Sequence, residues 1–452
     1  MATAEPLSTA SHSILLINPP SPPGLTANRE GAGGLGAWSA GESGFLYPPH
    51  TLAQAAAVLR LHGWRVQLLD AAGERMKPEN ALRRVTAQAE DIIAVQVAHL
   101  SLDNDVEFID RLRLAAPRSR LLAIGASTLF AGPALLERTD VDHVVVGEPE
   151  AMLLPVCQTL AGVSGMRRLR RTVTAADVAA PDIDRQGRVA DLDSLPFPAW
   201  DLLPLDRYRF VTIFTSRGCN DTCTFCPYVV GQGWRFRPRA PERVVDEMAW
   251  LAEAFRPSRL IVRDPVFALE RSRVEQICQG LIARKVTLSW ECESRPEHFD
   301  ADLLRLMKRA GCTTIKLGLE TTSESVLRDL KRIRPTGSAE TYLQQTAALV
   351  ATCRAVGLAC RLFVMTGLPG QSEEDIVSTI TFVRRLRPTA THVKPFHRYP
   401  GLPMPGVQTA AERERGEMQA TMVQQALTTM QPRRVPRLMH TARRWLARRI
   451  RR

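Results

Sequence analysis

An α/β fold in two units is predicted: an N-terminal doubly wound parallel sheet, a partial (β/α)6 barrel, and a short helical C-terminal region. Three observations lead to it. Over the first 160 residues, short strands that are apolar throughout alternate with helical patterns, as parallel strands covered on both faces do. The alternation lapses over 163–210 and restarts at Val211. A length of 452 residues allows about two or three domains.

Taken in order, the strand-like runs are Ile14–Ile17, Val66–Leu69, Ile92–Val97, Leu121–Ile124 and Val144–Val146. Helix patterns lie between and after them near Thr51–Leu61, Asn80–Ala89, Val106–Ala115 and Glu150–Leu160. This unit, residues 1–162, should bind ligands at the carboxyl ends of its strands. Residues 163–210 read as a connector, stiffened by Leu195-Pro196-Phe197-Pro198-Ala199-Trp200. The second unit, 211–398, offers strands at Val211–Thr215, Leu260–Val262, Thr287–Glu291, Thr314–Leu317, Ala359–Met365 and His392–Pro395. Its helices include Pro241–Phe255, with proline at the first turn, Arg271–Arg284, Ala301–Ala310, Ala339–Val356 and Glu373–Leu386. Six β/α units fall short of the eight of a closed barrel. Residues 399–452 read as helical and polar, ending in a basic tail.

Composition excludes several classes. A 45% hydrophobic, 23% charged chain is neither disordered nor fibrous overall. No apolar run approaches the ~18–20 residues that span a bilayer, and Met1–Ser13 lacks a secretory pattern, so the expected compartment is the cytoplasm. Of the net charge of +12, nine units come from arginines in the last twenty residues. A nucleic-acid binder would spread positive charge over a folded face, so no nucleic-acid partner is expected.

The most specific motif is Arg217-Gly218-Cys219-Asn220-Asp221-Thr222-Cys223-Thr224-Phe225-Cys226-Pro227, a C-x-x-x-C-x-x-C loop directly after a strand. Three thiolates on one short loop can bind three corners of a cubane cluster and leave the fourth iron open. A structural zinc loop with a distant fourth ligand is the competing reading. Such loops usually pair two C-x-x-C units, and a second is missing here.

The loop resembles that of the radical S-adenosylmethionine (SAM) superfamily. Trp290-Glu291-Cys292-Glu293-Ser294-Arg295, Leu317-Gly318-Leu319-Glu320, Gly367-Leu368-Pro369-Gly370 and Tyr399-Pro400-Gly401 follow the order of the subclass with an N-terminal cobalamin domain. The resemblance implies a 4Fe-4S cluster on Cys219, Cys223 and Cys226, whose free iron chelates SAM and yields a 5′-deoxyadenosyl radical. It places Phe225 and Tyr228 beside the adenosine, and Asp264, Arg295 and Glu320 on the polar parts of SAM. It gives cobalamin the loops after the first, fourth and fifth strands: Asn18, Pro19 and Ser21; Gly125, Ala126 and Ser127; Gly147 and Glu148. The implied activity is methylation of an unactivated carbon or of phosphorus, with methylcobalamin as donor and a flavodoxin- or ferredoxin-type electron donor. A radical cyclase or oxidase that uses cobalamin without methyl transfer, and a cobalamin-binding sensor with a structural cluster, are the alternatives. Asn18–Gly24 holds no histidine, so the lower face of cobalt should lack a histidine ligand.

Gly31-Ala32-Gly33-Gly34-Leu35-Gly36 spells G-x-G-x-x-G, yet it starts far beyond its strand. A dinucleotide fingerprint joins strand to helix directly, so a mobile glycine loop near a ligand is expected instead. In the tail, Leu438, Ala442, Trp445 and Leu446 share one helical face among arginines. Such a helix suits peripheral contact with the anionic inner membrane surface; a helix docked on the barrel with its arginines solvated, or a disordered end, is the competing reading. The resemblance implies a small-molecule or lipid-like substrate.

Overall fold

The computed structural model describes residues 12–41, 44–88, 90–162, 173–174, 187–404 and 406–428. The first sheet is parallel, with strands β1 (Ser13–Asn18), β2 (Arg65–Asp70), β3 (Ile92–Gln96), β4 (Arg120–Ile124), β5 (His143–Val145) and a short β6 (Val173–Thr174) in the order β2-β1-β3-β4-β5-β6. That order reverses between β1 and β3, the switch point where ligands of doubly wound sheets sit. β1 is buried at every residue and β3 likewise, because helices cover both faces.

The second sheet is also parallel and runs in chain order: β7 (Val211–Ile213), β8 (Leu260–Val262), β9 (Trp290–Ser294), β10 (Cys312–Glu320), β11 (Ala359–Thr366) and β12 (Ala390–Pro395). β7 and β12 are its two edges, so the barrel is partial. Helix Ala410–Thr428 packs on β12: the Gln424 side chain accepts from the Val393 backbone N–H (2.9 Å) and donates to the Thr391 carbonyl (3.1 Å).

One apolar cluster continues from Leu16, Leu52 and Leu59 of the first unit, through Trp200 of the connector, to Ile213 and Leu260 of the barrel. Trp200 is fully buried, and the His50 ring meets it edge-on at 5.2 Å. The connector is thus a wedge that holds the two sheets together.

Several elements differ from expectation. Helix Thr128–Arg138 contains Gly132 and Pro133, which mask its periodicity. The antiparallel pair Leu25–Asn28 and Ala37–Ala40 brackets the glycine loop. β9 begins at Trp290, not Thr287, since the Trp290 indole N–H donates to the Ala310 carbonyl (2.8 Å) and so pins the start of the strand. The glycine loop is packed, not loose. Gly33 lies against Pro227 and Tyr228, and a methyl on Gly231 would fall on the Gly33 carbonyl. The basic tail from Gln431 lies outside the described residues.

Candidate active site

The cysteine loop leaves β7 through Ser216–Arg217, which pairs antiparallel with Arg237–Pro238 and closes the base of the loop. Gly218 has φ +77°, and a Cβ there would strike the Arg235 carbonyl, so the turn into Cys219 requires glycine. Cys219 and Cys223 are buried and Cys226 is half-buried; all three are free thiols. Burial, followed by Asp221, pushes the Cys219 thiol up to about 12. Burial, then Cys223, raises that of Cys226. Among the described residues no three His, Cys, Asp or Glu side chains converge on a single ion. A cluster presents a separate iron to each thiolate, so three neighbouring thiols on one loop fit it without such convergence.

Arg295 braces this loop. Its guanidinium donates to Asp221 (3.0 Å), Glu297 (2.5 Å) and the Arg332 carbonyl (2.8 Å), and lies 3.9 Å from Cys223 Sγ. Asp264 accepts from the Thr215 backbone N–H (2.7 Å) and from the hydroxyls of Thr215 (2.5 Å) and Ser216 (2.6 Å). Both residues are therefore occupied in holding the loop. Glu320 differs. It sits at φ +64°, where a non-glycine residue is strained, and its carboxylate has no hydrogen bond among the described residues. Burial raises that carboxyl to about 7, against the opposing charge of Arg332. Phe225 packs with Leu330, Leu368 and Phe396, and Tyr228 starts the helix Tyr228–Gln232 that faces the glycine loop.

A cleft opens where the carboxyl ends of both sheets meet. Gly125, Ala126, Gly147 and Glu148 line it from the first unit, and Phe214, Arg217, Gln232 and Arg263 from the barrel. No histidine lines it among the described residues. Its glycine-backed wall at strand ends suits a flat ligand that needs close backbone approach. The other residues expected at cobalamin are engaged elsewhere. Asn18 donates to Asp70 (2.8 Å) and accepts from Arg29 (3.1 Å), which also bonds the Pro19 carbonyl (2.7 Å). Ser21 accepts from the Ala27 N–H (3.0 Å), and Ser127 from the His99 N–H (2.7 Å).

The sequence reading missed the charges that cross the cleft. Arg263 stacks on Tyr47 (4.2 Å) and binds Glu30 (2.9 Å) from the first unit. Arg217 pairs with Glu150 and with Glu148 (3.3 Å), and Arg237 binds Glu148 at 2.5 Å. Burial pushes the Glu148 carboxyl up, but Arg217 and Arg237 outweigh it and hold the group well below the usual range. Glu291 and Glu293, two apart on β9, share the lumen face by strand alternation. That period of two was the available signal.

A partial parallel barrel that carries three thiols on the loop after its first strand defines a class of cluster-dependent enzymes. Residues 213–383 match the family described as the Radical SAM superfamily. The match takes in most of the barrel together with its cysteine loop. The chain is 26% identical to an uncharacterized methyltransferase of Pyrococcus horikoshii over 75% of this chain and 73% of that protein. It is 23% identical to the anaerobic magnesium-protoporphyrin IX monomethyl ester cyclase of Rubrivivax gelatinosus, over 76% of this chain and 63% of that one. Its fold resembles that of the radical S-adenosylmethionine methyltransferase TsrM from Kitasatospora setae, solved with cobalamin and a 4Fe-4S cluster bound. The TM-score is 0.68 at 20% identity, covering 87% of this chain and 74% of that chain.

Proposed function

We propose that this enzyme is a cobalamin-dependent radical SAM methyltransferase acting on an unactivated carbon or phosphorus centre. The observation that carries the proposal is the shared cleft, where the strand ends of a doubly wound sheet and of a radical SAM barrel meet beside the cysteine loop. The methyltransferase relative and the cobalamin-bound structural neighbour support it. When bound, the cluster and SAM supply radical chemistry and cobalamin supplies a methyl carrier.

In this reading Cys219, Cys223 and Cys226 hold the cluster. Glu320, Phe225 and Tyr228 hold SAM, while Asp264 and Arg295 act through the loop they brace. Gly125, Ala126, Gly147 and Glu148 form the cobalamin wall, with Glu148 also tying that wall to Arg217. The packed glycine loop and the connector keep water from the junction. Electrons come from a flavodoxin- or ferredoxin-type donor, and the substrate is a small or lipid-like molecule. The basic tail brings the enzyme to the cytoplasmic side of an anionic membrane. Anionic liposomes should then retain the full chain at low salt and release one ending at Gln431.

Incubation with reductant and methyl-labelled SAM should yield 5′-deoxyadenosine, and a host extract added to it should give a product carrying the label. Deoxyadenosine with an unlabelled product would instead favour the cyclase chemistry of the Rubrivivax relative. Neither would leave only a sensor.

A further inference from the structure

Along its last two strands the barrel lumen carries more cation than acid. Side chains alternate along a strand. On β11 the half-buried Arg361, Phe363 and Met365 share the inner face, while Cys360, Leu362 and Val364 are buried outside. On β12 the corresponding pair is His392 and Lys394, in register with Phe363 and Met365. Both are exposed. The Lys394 ammonium lies 4.3 Å from the centroid of the Phe363 ring, and the His392 ring 5.9 Å from it.

Deeper in the lumen, Glu291 serves three cations: Lys316 at 2.6 Å, Arg259 at 3.7 Å and Arg361 at 3.8 Å. The buried Nε of Arg361 has no hydrogen-bond partner. Neither Lys394 nor His392 meets an acid in an ion pair among the described residues. The buried Glu320 carboxylate feels both Lys394, which favours its charge, and Glu293, which opposes it, without an ion pair to either. Burial, then Arg361, Lys394 and Lys316, lowers the proton affinity of His392, and Glu291 only partly opposes them. The exposed Lys394 ammonium and His392 ring, with the unpartnered Arg361 Nε, thus leave hydrogen-bond donors that an oxyanion can join.

We propose that Lys394, His392 and Arg361 form a subsite for an oxyanion of the substrate, a carboxylate or a phosphate, with Phe363 covering the apolar part beside it. Resting on the methyltransferase reading, this names the substrate class of the same barrel. Donors of this kind make charge-assisted hydrogen bonds to oxyanions, and Phe363 gives one flat apolar wall.

The test follows the His392 ring signal by NMR in the full-length, cluster-loaded protein labelled at histidine, with the signal assigned by its loss in His392→Gln. Inorganic phosphate and benzoate are titrated separately. A saturable shift with phosphate alone points to a phosphorylated substrate, with benzoate alone to a carboxylate, and with both to the shared oxyanion chemistry. Lys394→Met should weaken binding roughly tenfold or more. Lys308→Met, on an outer helix where its ammonium is held by the Val356 carbonyl (2.6 Å), should not. No saturable shift with either probe, or equal affinity in Lys394→Met, overturns the subsite. The titration needs no SAM cleavage. Its failure leaves the methyltransferase reading standing, and a protein inert towards SAM can still pass it.

Discussion

Replacing Glu320 by glutamine should stabilise the ligand-free protein in a way that depends on pH. The Glu320 carboxyl is moved from its ordinary 4.5 to about 7, chiefly by burial. At 1.36 kcal/mol per unit, the ionised carboxylate costs the fold about 3 kcal/mol. Since the folded state holds the proton more tightly than the unfolded one, stability falls as pH rises from 4.5 to about 7 and then levels. Glutamine keeps the shape and removes the titration. At pH 5.5 its advantage includes about 1.4 kcal/mol of this effect, and by pH 8 the whole of it, so the gap should widen by about 2 kcal/mol. On a chain of this size that is a few degrees in Tm, measurable in thermal melts of both proteins across that range without SAM. If Glu320 receives the polar end of SAM, the same substitution should weaken SAM binding tenfold or more in equilibrium dialysis. A Tm difference that stays constant from pH 5.5 to 8 would refute the account of a strained carboxylate kept ready for a ligand.

Three further outcomes follow from the same geometry. Cys219→Ala should lose the ~400 nm absorption of a thiolate-ligated cluster and all SAM cleavage; a normal reconstituted spectrum would remove Cys219 from the ligand set. Glu148→Gln leaves Arg217 and Arg237 buried with less counter-charge and should cost about 3–5 kcal/mol. Because the Glu148 carboxyl is held below 4.5, its contribution is complete above that pH and is lost only on strong acidification, so the Tm deficit should be the same at pH 6 and pH 8. Gly231→Ala should force the helix after the cysteine loop away from the Gly33 carbonyl, and limited proteolysis should then cut the glycine loop faster than in the parent.

Most of the architecture was legible because parallel strands buried on both faces are apolar at every position, as β1 and β3 are. The cysteine loop was legible because thiol spacing is local. What escaped the sequence was non-local. Nothing near Asn18 says that its amide would be taken by Asp70 and Arg29, and nothing near Asp264 says that Thr215 and Ser216 would claim its carboxylate. A residue at a strand end can face a ligand or cap a neighbouring turn, and only tertiary structure separates the two. The same holds for Glu30 and Arg263, 233 residues apart, whose pairing exists only once the two sheets have docked.

That docking explains why the junction is ionic. Buried ion pairs add little net stability over apolar contacts of equal volume, because desolvation offsets their attraction. They do penalise any arrangement that leaves a charge alone. Arg217 lies next to Gly218, where the cysteine loop turns, and its two acids line the cleft: Glu148 just before the helix Pro149–Leu160 and Glu150 in the first turn of that helix. Sliding one sheet against the other would strand three or more charges at once. In a methyltransferase of the proposed kind, two bound cofactors must stand at a set separation from one substrate atom, and an error of about 1 Å can cost a hundredfold in rate. The network therefore serves position more than stability. It links the cysteine loop to the cleft wall through Arg217 and Glu148, the acid that also lines the cleft.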